Sequence, residues 1–239
     1  MSTPRALVIT GPGTNRDPDC ALALRRAGAA VTLASAHQLR TSPEVIEGAD
    51  IAVVAGGFSY ADALGAGRVL AVELTRGLGE RLGVFVERGG LLLGICNGFQ
   101  VLTRAGLLPG ALGHNAGGHF LCDWVELAPE PSSHCVWTRG LADPIHCPIA
   151  HGEGRYVHDD PDALHAAGQV ALRYASPNPN GSVADIAGVC DTTGRILGLM
   201  PHPENHVLDR QHPRRRHVTP GRHLGLALFV NAVEAVRGR

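Results

Sequence analysis

The sequence predicts an α/β fold built on an open, mostly parallel sheet flanked by helices, and three observations lead there. Four short apolar runs, Ala6–Thr10, Val31–Ser35, Ile51–Ala55 and Leu91–Ile95, carry no charge and have the length of strands buried on both faces. Helical patterns separate the runs, which is the rhythm of βαβ units. The 239 residues, 44% of them hydrophobic, suffice for one sizeable core, so residues 1–239 are read as a single domain.

Taken in order, the first run ends at a Gly-Pro turn. Asp17-Pro18 then reads as an N-cap with proline at the first helical position, opening a helix through Cys20–Ala29 with Gly28 near its end. After the third run, Leu70, Leu74, Leu78 and Leu82 recur every four residues until Gly89-Gly90, as on an amphipathic helix packed against a sheet. Further strands are expected at Trp124–Leu127, Val170–Tyr174 and Ile196–Leu199. Leu224, Leu228, Ala232 and Val236 form an apolar stripe for a closing helix.

Composition narrows the chemistry. The 21 basic and 22 acidic residues leave a net charge of -1, which gives no global field for a nucleic acid or a membrane. Every basic residue is arginine, so the lysine of a phosphate-binding Walker loop and any Schiff-base mechanism are excluded. The six cysteines form no CxxC pair and read as reduced thiols. The first apolar run is too brief for a signal-peptide core and no stretch reaches membrane-spanning length, so a cytoplasmic location is expected.

Ligands of open α/β sheets bind at the carboxyl ends of the strands, and the fourth run ends there in GICNGFQVL. Cys96 stands between this strand and a helix over Asn97–Arg104, with Gly94 and Gly98 two residues away on either side: a nucleophile elbow. A cysteine so placed meets the positive end of a helix dipole, a setting that favours thiolate. The plainer alternative is a buried small apolar residue. The third run ends in Gly56-Gly57, whose loop belongs beside that of Cys96. With the N–H of Asn97, the N–H of Gly57 would supply two donors to an oxyanion, although an ordinary glycine-rich turn has the same composition.

Downstream, ILGLMPHPENH sets His202 and Glu204 just after a strand, with Pro203 between them. Proline favours an extended predecessor, and in an extended segment residues two apart share a side. Imidazole and carboxylate would then meet, a base with its orienting group, completing a Cys96–His202–Glu204 triad. The competing reading makes His202 and His206 zinc ligands, but Pro203 opposes the continuous helix that would bring them to one face.

These residues resemble the class I, triad-type glutamine amidotransferases, whose fold is flavodoxin-like, and within them the glutaminase subunit of phosphoribosylformylglycinamidine synthase. The likeness spans nearly the whole chain, through GPGTN (11–15), GGFSYAD (56–62), GICNGFQVL (94–102), PIAHGEGRY (148–156), NPNGS (178–182) and GLMPHPENH (198–206). It implies that Cys96 is the nucleophile, His202 the acid and base, Glu204 its carboxylate, and Gly57 with Asn97 the oxyanion hole. Gln100, Asn115 and Phe120 would hold the substrate, glutamine. It also implies no cofactor or metal in this chain, with ATP and Mg²⁺ on a partner synthetase subunit and a small accessory subunit in the complex. A glutaminase or Cys-dependent hydrolase of another pathway, and a silent binding paralogue, are the alternatives.

The chain departs from the family pattern at Ala61, Ala63 and Gly65, where Gly, Tyr and Arg are usual, and at Gly117, where Ser is usual. HGEGRY and NPNGS are expected at a partner interface or an ammonia exit, or else as solvated turns. The arginines of the stretch 210–223 read as a solvated loop.

Overall fold

The computed structural model describes residues 2–175, 177–216 and 219–238. Its strands are β1 (Arg5–Thr10), β2 (Ala30–Ser35), β3 (Ile51–Val54), β4 (Leu91–Ile95), β5 (Ala111–Gly113), β6 (Leu121–Pro129), β7 (Ile145–His151), β8 (Arg155–Val157), β9 (Val170–Tyr174), β10 (Ile186–Cys190) and β11 (Ile196–Leu199). The helices are α1 (Asp17–Ala27), α2 (Ala36–Thr41), α3 (Glu44–Glu47), α4 (Arg68–Glu87), α5 (Asn97–Arg104), α6 (Pro161–Ala166) and α7 (Leu226–Arg237). One sheet of nine strands runs β2-β1-β3-β4-β11-β10-β9-β6-β7, and β5 pairs with β8 apart from it.

The sheet has two halves. From β2 to β11 neighbouring strands are parallel, and β3, β4 and β11 are buried along their whole length. From β11 to β7 all pairings are antiparallel. Helix α1 lies against α7, while α4 lies against α2 and α5. The expected α/β sheet flanked by helices is therefore present; its parallel part is the half in which apolar runs alternate with helical patterns.

Three expectations need correction. Val31–Ser35 is not buried on both faces: β2 is the edge strand, it pairs only with β1, and Leu33 is 41% exposed. Helix α1 starts at Asp17 rather than being capped by it. Arg16 holds the cap position without a side-chain bond, and Asp17 and Asp19 instead put negative charge in the first turn, where the helix dipole favours it. In the closing stripe, Leu224 precedes α7, while Leu228 and Ala232 are buried within it.

The antiparallel strand β7 is missing from the sequence reading because Pro148 interrupts it. A proline removes one ladder donor, which an edge strand tolerates, and β7 is the outer strand of its half. No helix among the described residues is long and apolar enough to cross a membrane.

Candidate active site

Two parallel neighbours create the site. β4 and β11 pair in register from Ile196–Leu92 to Leu199–Ile95, so their carboxyl ends lie side by side. Cys96 follows directly on β4, and its N–H donates to the Leu199 carbonyl at 2.8 Å. His202 comes three residues after β11. Residues far apart in sequence thus share one sheet end because the strands carrying them are adjacent.

Cys96 occupies a sharp elbow at φ 51 and ψ -107, a conformation that costs a residue with a Cβ on the order of 1–3 kcal/mol. The turn closes because α5 can sit directly on the sheet: a Cβ on Gly98 would lie 2.0 Å from the Val54 carbonyl oxygen, and one on Gly94 would lie 2.7 Å from the Gly98 oxygen. The Cys96 Sγ is directed toward the Ala150 carbonyl at 3.8 Å.

His202 and Glu204 meet as expected, but for a different reason. Pro203–Asn205 is a 3₁₀ turn, not extended chain, and this turn brings Glu204 Oε1 to 2.7 Å from His202 Nδ1. The pair is enclosed, with His202 3% and Glu204 0% exposed, and Cys96 is only 6% exposed. Burial alone would lower the His202 pKa, but the Glu204 carboxylate and Cys96 outweigh it and push it up to about 10. These charges favour the protonated form of His202, which is placed to give its proton to a leaving nitrogen. Glu204 Oε2 has no hydrogen-bond partner.

His206 belongs elsewhere. Its Nδ1 lies 2.6 Å from the His146 carbonyl and its ring packs edge-on against Trp124, while His202 Nδ1 is taken by Glu204. The two histidines do not converge.

The loop after β3 closes the other side. Gly57 has φ 134, in a range that favours glycine, and pairs with Thr14 in an isolated bridge. Gly56 is pressed against the triad: a Cβ there would lie 3.0 Å from His202 Cε1 and 3.5 Å from Cys96 Cβ. Asn97 is the first residue of α5, so its N–H has no acceptor within the helix. Its side chain ties the loop to the helix, accepting from Ser59 Oγ at 2.5 Å and donating to Gln100 Oε1 at 3.1 Å and Asp62 Oδ1 at 3.3 Å. Ser59 and Asp62, which the sequence offers only as members of the GGFSYAD segment, are thus part of the site's frame.

Of the expected substrate contacts, Gln100 is buried and donates to the Glu153 carbonyl at 2.6 Å, which fixes the HGEG turn to α5. Asn115 has no hydrogen-bonding capacity left over. Its Nδ2 donates to the carbonyls of His119 and His151, and its Oδ1 accepts from Gly154 N–H and His151 Nδ1. Substrate contact by the Asn115 amide is therefore corrected to a loop-holding part. Phe120 is 51% exposed beside Gly152. At Gly117 a Cβ would lie 2.7 Å from the exposed His119 ring, which can swing aside, so nothing in the structure explains the departure from the family pattern.

The HGEGRY and NPNGS segments are not solvated turns. His151, Tyr156, Asn180 and Ser182 are buried. Asn180 Nδ2 donates to the Gly154 carbonyl at 2.8 Å, and Ser182 Oγ accepts from Tyr156 N–H at 3.0 Å. The basic stretch 210–223 includes residues 217 and 218, which lie outside the described residues. Within the described part, His212 packs against Trp124 with ring centroids 4.6 Å apart.

The chain resembles known proteins over nearly its whole length. Residues 3–236 match the CobB/CobQ-like glutamine amidotransferase domain. Phosphoribosylformylglycinamidine synthase subunit PurQ of Treponema denticola is 43% identical, over 87% of this chain and 90% of its own length. The same-named subunit of Dehalococcoides mccartyi is 40% identical, over 99% of both chains. A chain of the PurLQS structure from Thermotoga maritima superposes with a TM-score of 0.80 at 35% identity, covering 98% of this chain and 99% of that one. A glutamine amidotransferase from the same organism, 15% identical with a TM-score of 0.57 and 99% coverage of each chain, shares the fold. With its elbow cysteine, its paired His and Glu and these relatives, the chain belongs to the CobB/CobQ-like glutamine amidotransferases, among the PurQ subunits of phosphoribosylformylglycinamidine synthase.

Proposed function

We propose that the chain is the glutaminase subunit of a phosphoribosylformylglycinamidine synthase, in which Cys96 releases ammonia from glutamine for use on a separate synthetase subunit. The observation that carries this reading is the enclosed Cys96–His202–Glu204 arrangement at the joined ends of β4 and β11. In it the Cys96 thiolate attacks the side-chain amide carbon of glutamine. The oxyanion that forms is held by the N–H groups of Gly57 and Asn97. His202 gives its proton to the nitrogen as the C–N bond breaks, and ammonia leaves a glutamyl thioester. His202 then takes a proton from water, whose oxygen displaces sulfur to give glutamate.

None of these steps calls on a cofactor. ATP and Mg²⁺ act on the synthetase subunit, which converts formylglycinamide ribonucleotide to formylglycinamidine ribonucleotide, with a small accessory subunit in the complex. Residues 1–239 work as one amidotransferase domain, in the cytoplasm, where no nucleic acid or membrane takes part. The likeness to a PurLQS chain supports a multi-subunit assembly.

The test is amination by the assembled complex with glutamine or with ammonia as nitrogen source, for wild type and Cys96→Ala. The variant is expected to lose glutamine-dependent amination by roughly 10³-fold or more while ammonia still supports the reaction. Equal loss with both nitrogen sources, or survival of glutamine hydrolysis, would overturn the reading.

A further inference from the structure

Strand β7 runs along the triad. The Pro148 carbonyl accepts from His202 N–H at 2.8 Å, and the Ala150 carbonyl faces Cys96 Sγ at 3.8 Å. Its buried face carries Ile145, Cys147, Ile149 and His151 by strand alternation. His151 directly follows Ala150, whose carbonyl meets Cys96 Sγ, so it stands beside the nucleophile along the chain. Burial and the charge of Glu204 push the Cys147 thiol up, and burial with the charge of His202 pushes His151 down.

His151 is 4% exposed, and its Nε2 has no hydrogen-bond partner. The tautomer follows from its neighbours. Asn115 Oδ1 accepts from Gly154 N–H at 3.1 Å, which fixes the amide orientation, so at 3.0 Å the His151 Nδ1 must donate to that oxygen. Nε2 is then a bare lone pair. Burial, reinforced by the nearby imidazolium of His202, lowers the His151 pKa to about 4, so the lone pair stays unprotonated at neutral pH. A buried acceptor without a donor is costly, and a ligand that brings an N–H or O–H removes that cost.

We propose that His151 Nε2 is the acceptor for the nitrogen that Cys96 releases, taking an N–H of the leaving group and holding it as neutral ammonia. This rests on the glutaminase reading above. The chemistry is complementary: ammonia is a donor of N–H bonds, and an acceptor that carries no proton cannot convert it to ammonium. His202 supplies the one proton that the leaving nitrogen needs, and His151 exchanges none. By microscopic reversibility, the same contact holds ammonia when it attacks the thioester in the reverse direction, whereas attack by water does not require it.

The test is to turn over glutamine in [¹⁵N]ammonium and measure ¹⁵N entering glutamine relative to glutamate formed. His151→Asn keeps a donor to Asn115 in place of Nδ1–H and removes Nε2; His151→Gln places an amide oxygen near Nε2 and gives up the Nδ1 bond. Loss of one hydrogen bond is expected to lower the ¹⁵N partition about tenfold in His151→Asn, with His151→Gln closer to wild type. An unchanged partition in His151→Asn would refute the inference, as would equal falls in both variants or a greater fall in His151→Gln, which would mean that His151 only holds the loop through Nδ1. Cys96→Ala is run alongside: glutamine hydrolysis surviving it defeats the glutaminase reading itself, while loss there with a normal partition in His151→Asn defeats only the role of His151.

Discussion

The nucleophile's side of the site and the base's side are built by different means. Around Cys96 the geometry is local: an apolar strand, a sharp turn and a helix, with Gly94 and Gly98 giving the clearance that α5 needs over β3 and β4. Around His202 it is assembled from distant pieces, a 3₁₀ turn after β11, the backbone of β7 and the Gly56 loop. The difference separates what each side tolerates. The elbow depends on space, and the base depends on charge.

The largest expected effect tests the charge. In Glu204→Gln one of the two groups that together outweigh burial loses its charge, so the His202 pKa falls from about 10 toward its ordinary value. Glutaminase activity should drop roughly 10²- to 10⁴-fold, as when a triad loses its orienting carboxylate. Because His202 now loses its proton at lower pH, the alkaline limb of the pH–rate profile should move to the acid side. A profile unchanged in position would mean that Glu204 does not set the charge of His202.

The next effect tests space. Gly98→Ala would bring a Cβ to 2.0 Å from a backbone oxygen, and it should destabilise the fold by about 3 kcal/mol or more. Denaturant unfolding measures it, and a loss near zero would show that α5 can lift off the sheet. Gly56→Ala makes the opposite comparison. Its Cβ would press on the His202 ring at 3.0 Å, so activity should fall about tenfold or more with much less loss of stability. Stability falling as far as in Gly98→Ala would erase the contrast between the two sides.

The smallest effect lies in the loop that joins them. Tyr60, Ala61 and Asp62 are consecutive left-handed residues, each costing roughly 1–2 kcal/mol. Ala61 stands where the family usually has Gly, so Ala61→Gly should raise stability by about 0.5–1 kcal/mol, read from the shift in unfolding midpoint. A destabilised variant would contradict the strain.

This contrast also explains what was legible in the sequence. The parallel half, the elbow and the His202–Glu204 pair could be read because each leaves a local trace: apolar runs, flanking glycines, and two partners only two residues apart. The antiparallel strand β7 could not, because Pro148 breaks the pattern. With β7 went the burial of His151, although Ile145, Cys147 and Ile149 at alternate positions were a usable signal. Asn115 is a related case: the sequence offers a polar residue in a substrate-like segment, and only tertiary structure reveals that the hydrogen-bonding positions of its side-chain amide are filled.

The central claim is that position, not exposure, makes Cys96 the reactive thiol. Cys122 is exposed and Cys96 is buried, so simple accessibility favours Cys122. The direct measurement is peptide mass spectrometry after treatment with a glutamine analogue bearing an electrophilic ketone. The account predicts one adduct, on Cys96, blocked by glutamine; labelling of Cys122 with Cys96 untouched would contradict it.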